Sequence, residues 1–397
     1  MKLQSHVVCI IILLITSIVA TSISVLYKEP FVTSNTTPVS SLNSSCKKAK
    51  ELYLTANPDV KTSGMDPWYH YITYGKKEGR KWVGNNCRFV TILYSVWFNH
   101  MMKNNKAIQM QKDCPSKCGG GYHWWGKPAY KNGDINEYRF VKSDGKPNVE
   151  LIDYHADLLY SAGIDFISID LSNGEQPLII ESAQAVIQRY SERPLETTPR
   201  IALFVLNEKS VEFMRNKFYN NPSYKNVWFM YEDKPLILVA NTNGNNPIPN
   251  ISGFTCRRCW GLLSNDNNAW TFKQNTTVPG QLHVPFVNPH NQDVEQMSAS
   301  VAVQESYISD PKTRRVGRDN GLYFNNQWRN ILKYKPTFVF VTAWNEWGAE
   351  NQRTPPDYAF VDAYGQEFSS DIEPMSGGHT TNYYDLLKQW IMQYKLS

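Results

Sequence analysis

An α/β fold is predicted for this chain: a (β/α)8 barrel of the TIM type, preceded by a small helical module and an N-terminal membrane segment. Three observations predict it. From Arg88 onward, short apolar runs rich in β-branched residues alternate with segments of helical period, the pattern of a parallel sheet covered by helices. Eight such runs can be counted, and the 397-residue chain exceeds the about 250 residues that a barrel of this kind needs. The last run, Thr337 to Ala343, leads directly into Trp344-Asn345-Glu346-Trp347, so two indoles, an amide and a carboxylate fall at the carboxyl end of a strand, where α/β enzymes keep their chemistry.

Taken in order, the chain begins with Lys2 and His6 ahead of an uncharged run from Val7 to Leu26. Counted to Ala20, its apolar core of about 14 residues suits a cleavable signal peptide. Counted to Leu26 it reaches about 20 residues and can span a bilayer. Residues 1–28 therefore read as a signal anchor or signal peptide, the anchor being favoured because the run continues past the cleavage site. Either directs the chain into the secretory pathway, as a type II membrane protein of the Golgi or cell surface or as a secreted one. Residues 29–45 are rich in Ser, Thr and Asn without hydrophobic period and read as a stem. Sequons at Asn35, Asn43, Asn250 and Asn275 agree with export. Apart from Cys9, six cysteines remain, and their grouping suggests Cys46 with Cys87, Cys114 with Cys118, and Cys256 with Cys259. The competing reading of the last four is a tetrathiolate zinc site.

Residues 46–87 form a compact unit carrying Tyr53-Leu54, Asn57-Pro58-Asp59-Val60, His70-Tyr71, Tyr74-Gly75 and Glu78-Gly79-Arg80. The pattern resembles a short helical module that accompanies extracellular and carbohydrate-active proteins. Its aromatics either contact a ligand or build a small core closed by a disulfide.

Residues 88–397 hold the barrel. Strands are expected at Phe89–Trp97, Ile164–Asp170, Arg200–Leu206, Pro235–Ala240, Cys259–Leu263, His283–Val287, Ala299–Gln304 and Thr337–Ala343, with helices at Val149–Ala162, Pro177–Ser191, Ser210–Tyr219, Phe324–Lys333 and Thr380–Lys395. The segment from Asn99 to Pro147 is too long for a plain connection and is expected to shape a cleft.

Composition excludes some functions. A net charge of +5 without a basic tract interleaved with aromatics argues against a nucleic-acid partner. Gly119 to Gly121 lacks the Lys-Ser/Thr ending of a phosphate loop, the histidines lack metal-ligand spacing, and no cofactor or metal is expected. Aromatics make up 13% of the chain, which suits both carbohydrate binding and a large core. Glycosidic cleavage needs two carboxyl groups flanking one bond. The strand ends offer Glu346, Glu350 and Asp170 as catalytic candidates, with Glu305 after the seventh strand a weaker one. Asp170 can alternatively make an Asx turn. Tyr94, Trp97, Trp124, Trp125, Trp344 and Trp347 are candidates to stack on sugar rings, and Asn173 and Asn345 to bind hydroxyls. Trp328 is expected inside its helix packing.

Trp344-Asn345-Glu346-Trp347, with Asp371-Ile372-Glu373-Pro374 and the Tyr383-Tyr384 helix downstream, resembles the barrel glycoside hydrolases of the endo-α-mannosidase family and related polysaccharide-processing proteins. The resemblance implies that Glu346 acts on a sugar hydroxyl or as base. It also implies a general acid three residues on, where this chain has Ala349, with Glu350 one residue later. A glycoside hydrolase acting on an oligosaccharide or glycan is the leading expectation. A non-catalytic glycan-binding protein on a barrel scaffold is the alternative. A lumenal glycosyltransferase is the third, weakened by the lack of an Asp-x-Asp element and of a Rossmann glycine pattern.

Overall fold

The computed structural model describes residues 40–83, 87–97, 126–134, 136–263, 268–274, 276, 281–306, 308–309, 312–347, 360–361 and 365–397. Helices α1 (Ser40–Ala56), α2 (Pro58–Ser63) and α3 (Pro67–His70) come first. The barrel then runs β1 (Phe89–Tyr94), α4 (Val149–Ala162), β2 (Phe166–Leu171), α5 (Pro177–Glu192), β3 (Arg200–Asn207), α6 (Glu208–Met214), β4 (Lys234–Asn241) and β5 (Thr255–Leu263). It continues through β6 (Trp270–Gln274), β7 (Val294–Ser300), α7 (Leu322–Tyr334), β8 (Phe338–Thr342) and α8 (Asn382–Leu396). The eight strands are ordered β6-β5-β4-β3-β2-β1-β8-β7, and each neighbouring pair is parallel.

Strand parity divides the core in two, because alternate side chains leave a strand on opposite faces. Ile92, Ile167, Ile169, Leu203, Val205, Val239 and Val341 point outward into one cluster with the helices. Leu93, Phe166, Phe204, Leu238, Phe338 and Phe340 fill a second cluster inside the ring. Each large side chain of this kind contributes about 1.5–3 kcal/mol when fully buried. The helices obey local rules as well: α5 starts on Pro177, and α4 stops at Gly163, whose φ of 85° is the left-handed value a C-terminal glycine supplies.

The ring does not close by backbone ladder between β6 and β7. Gln296 on β7 closes it, accepting from the Thr271 amide at 3.1 Å and donating to the Thr271 carbonyl at 2.8 Å. Gln274 does the same for Val284, at 2.7 and 2.8 Å. Two side-chain amides thus stand in for peptide groups. This seam corrects the expected strands: the sixth is Trp270–Gln274 rather than His283–Val287, of which only Phe286–Val287 pairs, antiparallel to β7. The seventh is Val294–Ser300 rather than Ala299–Gln304, and the fifth starts at Thr255, ahead of Cys259. Polar Gln and Thr at the pairing positions hide the strand period there.

The Cys256–Cys259 disulfide is also corrected, since both cysteines are free. Three strand positions span about 10 Å and reverse the side-chain direction, beyond the about 7 Å Cα separation a disulfide tolerates. Cys256 joins the outer cluster and Cys259 the inner one, which also rules out a zinc site using both. Burial pushes the Cys256 thiol up to about 12. Cys87 is disulfide-bonded, while the Cys46 side chain and the Cys114–Cys118 pair lie outside the described residues. Residues 7–26 do too, and among the described residues no helix is long and apolar enough to cross a membrane.

In the helical module the motif residues meet one another. Arg80 forks onto Asp59 at 2.8 and 2.8 Å and reaches Asn57 at 3.1 Å and Glu78 at 2.5 Å. Tyr53 bonds His70 at 3.0 Å, and Trp82 packs on Trp68, Tyr71 and Tyr53. The motif is therefore used for the module's own fold. Asp66 and Lys76 tie it to Asp233 and Asp293, both just ahead of barrel strands. The module thus sits at the amino-terminal end of the barrel, away from the strand ends that hold the candidate acids.

Candidate active site at the carboxyl end of the barrel

Beyond Thr342 the chain is held from both sides. The Trp344 amide donates to the Leu93 carbonyl at 2.8 Å, and the Asn345 side chain accepts from the Ser95 amide at 2.9 Å while donating to its carbonyl at 3.0 Å. On the other side, Ser370 to Glu373 runs alongside: Ala343 donates to Ser370, Ile372 to Ala343, and Glu373 to Trp344, at 2.8 to 3.0 Å. The Asp371 carboxylate accepts the Glu346 amide at 2.5 Å. These seven hydrogen bonds fix the segment that carries Glu346, which is buried along with Asp371.

Arg318 holds the flanking segment. Its guanidinium donates to the Gln366 and Asp371 carbonyls and to Ser369 Oγ, at 2.8 to 3.1 Å, and lies 4.4 Å from the Tyr383 ring centre. Burial raises the Asp371 carboxyl to about 7 despite the opposing pull of Arg318, because a charged group loses its hydration there.

The two indoles of the motif are not a sugar platform. Trp344 is 0% and Trp347 1% exposed. Trp344 packs edge-on against His155 and Tyr384, and Trp347 Nε1 donates to Glu373 at 2.7 Å. Glu373 is itself fully buried and also accepts from Tyr138 at 2.6 Å and meets His155 Nε2 at 3.0 Å, while Tyr94 bonds His155 Nδ1 at 2.7 Å. Tyr94, Trp344 and Trp347 thus belong to a polar knot between β1, β8 and α4, and both ends of the Asn345 amide are taken by Ser95. Trp97 is half-buried against the outer cluster. Trp328 is buried, stacked on Trp390.

Asp170 is the penultimate residue of β2, on the inner parity of Phe166 and Ser168. Its Oδ1 accepts the Ser172 amide at 2.9 Å and the Ser172 hydroxyl at 2.6 Å, the Asx turn foreseen as its structural role. Burial raises the Cys259 thiol, and the negative charge of Asp170 raises it further. Asn173 is exposed just beyond. Glu305 is paired with Arg314 at 2.6 Å in a hairpin after β7. Glu350, Trp124 and Trp125 lie outside the described residues.

Sequence reasoning passed over several residues. Asp371 and Glu373 stand in a quoted motif without an assigned role. Two acids one residue apart beside Ile372 and before Pro374 were the available signal. His155 lies on the buried face of α4 among Leu151, Ile152 and Leu159, where a polar side chain needs partners. Half-buried Trp260 and Phe272 contact Phe204, at 6.2 and 5.6 Å between ring centres, and Phe204 is in register with Asp170. These are the aromatics placed inside the mouth.

No family model matches the chain, and no curated protein matches it. Among solved structures, one titled as the GH99 endo-alpha-mannosidase from Bacteroides thetaiotaomicron overlaps with a TM-score of 0.43 at 12% identity, covering 77% of this chain and 97% of that one. The same enzyme in complex with bis-tris-propane gives 0.47 at 10% identity, covering 77% and 97%. A chain titled glycoside hydrolase-like protein gives 0.42 at 10% identity, covering 77% and 94%.

Proposed function

We propose that the chain hydrolyses a glycosidic bond in an oligosaccharide or glycan at the carboxyl end of the barrel, with Glu346 as the carboxylate that acts on the sugar. The observation that carries this reading is the set of seven hydrogen bonds that fixes residues 343–346, because a catalytic carboxylate contributes only when its position is held. Asp170 is assigned as the partner. β2 and β8 flank β1, so Asp170 and Glu346 stand at the same end of near-neighbouring parallel strands. Trp260 and Phe272 supply the aromatic surface for a sugar ring. The reaction is placed in the secretory pathway, as the apolar N-terminal run and the sequons suggest.

Incubation with a glycan panel, without nucleotide sugars, tests the reading: reducing ends should be released. Asp170→Asn should lower kcat by about 10²–10⁴-fold, the range for loss of an acid or base. A requirement for a nucleotide sugar would contradict hydrolysis. Non-catalytic glycan binding has one observation in its favour, that Asp170 Oδ1 already serves an Asx turn; binding without turnover on every glycan would establish it.

A further inference from the structure

A cavity of about 470 Å³ lies outside the barrel ring, between α7 and the seam segment at Gln281 and Leu282. Its size is that of a small-molecule site. One face of α7 forms its wall, since Tyr323, Asn326, Gln327, Asn330 and Lys333 recur at three- and four-residue steps.

The polar floor has unused capacity. Gln327 Oε1 accepts the His283 amide at 3.2 Å, but its Nε2 has no partner among the described residues, and the side chain is almost wholly buried. Asn330 spends its Nδ2 on the His283 carbonyl at 2.7 Å, which leaves its Oδ1 as an acceptor. Asn326 Oδ1 accepts from Arg329 at 3.1 Å, leaving its amide donors. Side-chain amides that offer both donors and acceptors match the hydroxyls of a sugar.

The rim is cationic. Arg329 and Lys333 are exposed one helical turn apart, about 6 Å between Cβ atoms. The lining contains no carboxylate, and among the described residues neither cation is in an ion pair. Like charges so spaced repel along a helix, and an anion between them removes the repulsion.

We propose that this groove is a second carbohydrate site that takes an acidic sugar unit, its sulfate or carboxylate held between Arg329 and Lys333 and its hydroxyls on Asn326, Gln327 and Asn330. The site is independent of the reaction at Glu346. It gives the protein a hold on an acidic glycan while the barrel mouth works elsewhere on the chain.

Calorimetric titration of the full-length chain with sulfated and uronate tetrasaccharides, a neutral tetrasaccharide and inorganic sulfate tests it. An acidic tetrasaccharide should bind at least tenfold more tightly than the neutral one and than sulfate. Binding should fall at least tenfold in Arg329→Ala/Lys333→Ala, whose changes are at exposed positions, and persist unchanged in Glu346→Gln. No binding of any acidic tetrasaccharide, equal binding of inorganic sulfate, or full affinity in the double variant would overturn the assignment. Loss of binding in Glu346→Gln would place the acidic sugar at the barrel mouth instead.

Discussion

Between β4 and β8, through β3, β2 and β1, the barrel wall is joined by backbone ladders, whereas between β6 and β7 it is joined by side chains. In the first region every strand is an apolar run whose inward and outward positions alternate between two clusters. In the second, Gln296 and Gln274 make the bonds that peptides make elsewhere. The same architecture is thus closed by two chemistries. Ladder bonds follow from any sequence that keeps the strand extended. Seam bonds depend on the identity of single residues, so this region should be the more sensitive to substitution. The candidate acids Asp170 and Glu346 both stand on the ladder side, and beyond β8 the Asn345 side chain and the Asp371 carboxylate add to the ladder in holding Glu346.

The largest expected effect lies at the junction of the ladder with the site. Asp371 is raised to about 7 in the folded chain from an ordinary value near 3.8. Between those values the native state binds more protons than the unfolded one, so stability falls as pH rises from about 4 to about 7, by up to about 4 kcal/mol. Asp371→Asn keeps an acceptor for the Glu346 amide and removes the ionisable group. Denaturation at pH 5 and pH 8 should show wild type losing stability relative to the variant. A constant difference would remove Asp371 from the pH dependence.

Next comes the seam. Gln296→Leu leaves the Thr271 amide and carbonyl buried without their partner, at about 1–3 kcal/mol each, and urea denaturation should show a loss of about 3 kcal/mol. Asn345→Ala removes the two bonds to Ser95 and should cost about 2 kcal/mol, with a fall in kcat as Glu346 loses one side of its support. The smallest change is expected inside the ladder region, where Thr91 and Ser168 bond each other at 2.9 Å. Replacing both, as Thr91→Val with Ser168→Ala, removes the donor and acceptor together and should change stability by less than about 1 kcal/mol. If the Thr91/Ser168 pair proved as costly as Gln296, the contrast between ladder and seam would fail.

The contrast also explains what the sequence made legible. Helix Val149–Ala162 and strands β1 to β4 and β8 were readable because burial imposes a hydrophobic period on them. The sixth strand was not, because Thr271, Lys273 and Gln274 carry polar groups at positions a buried strand normally fills with aliphatics. At the site, Glu346 was readable from its place at a strand end. The roles of Trp344, Trp347 and Asn345 were not, since the same residue types serve a sugar cleft and a buried polar knot. What separates the two is the position of Glu373, His155 and Ser95, each distant in sequence from the motif. Asp170 showed both of its readings, as acid and as Asx turn, and the turn is the one visible in the resting chain.

The most direct test of a carboxylate at the end of β8 acting on a glycan is single-turnover hydrolysis by wild type and Glu346→Gln on the best substrate of a glycan panel, with thermal unfolding recorded alongside. A fall in rate of about 10³-fold or more at unchanged melting temperature is expected, within the span of losing an essential acid or base. Hydrolysis undiminished in the folded variant would contradict the assignment of Glu346.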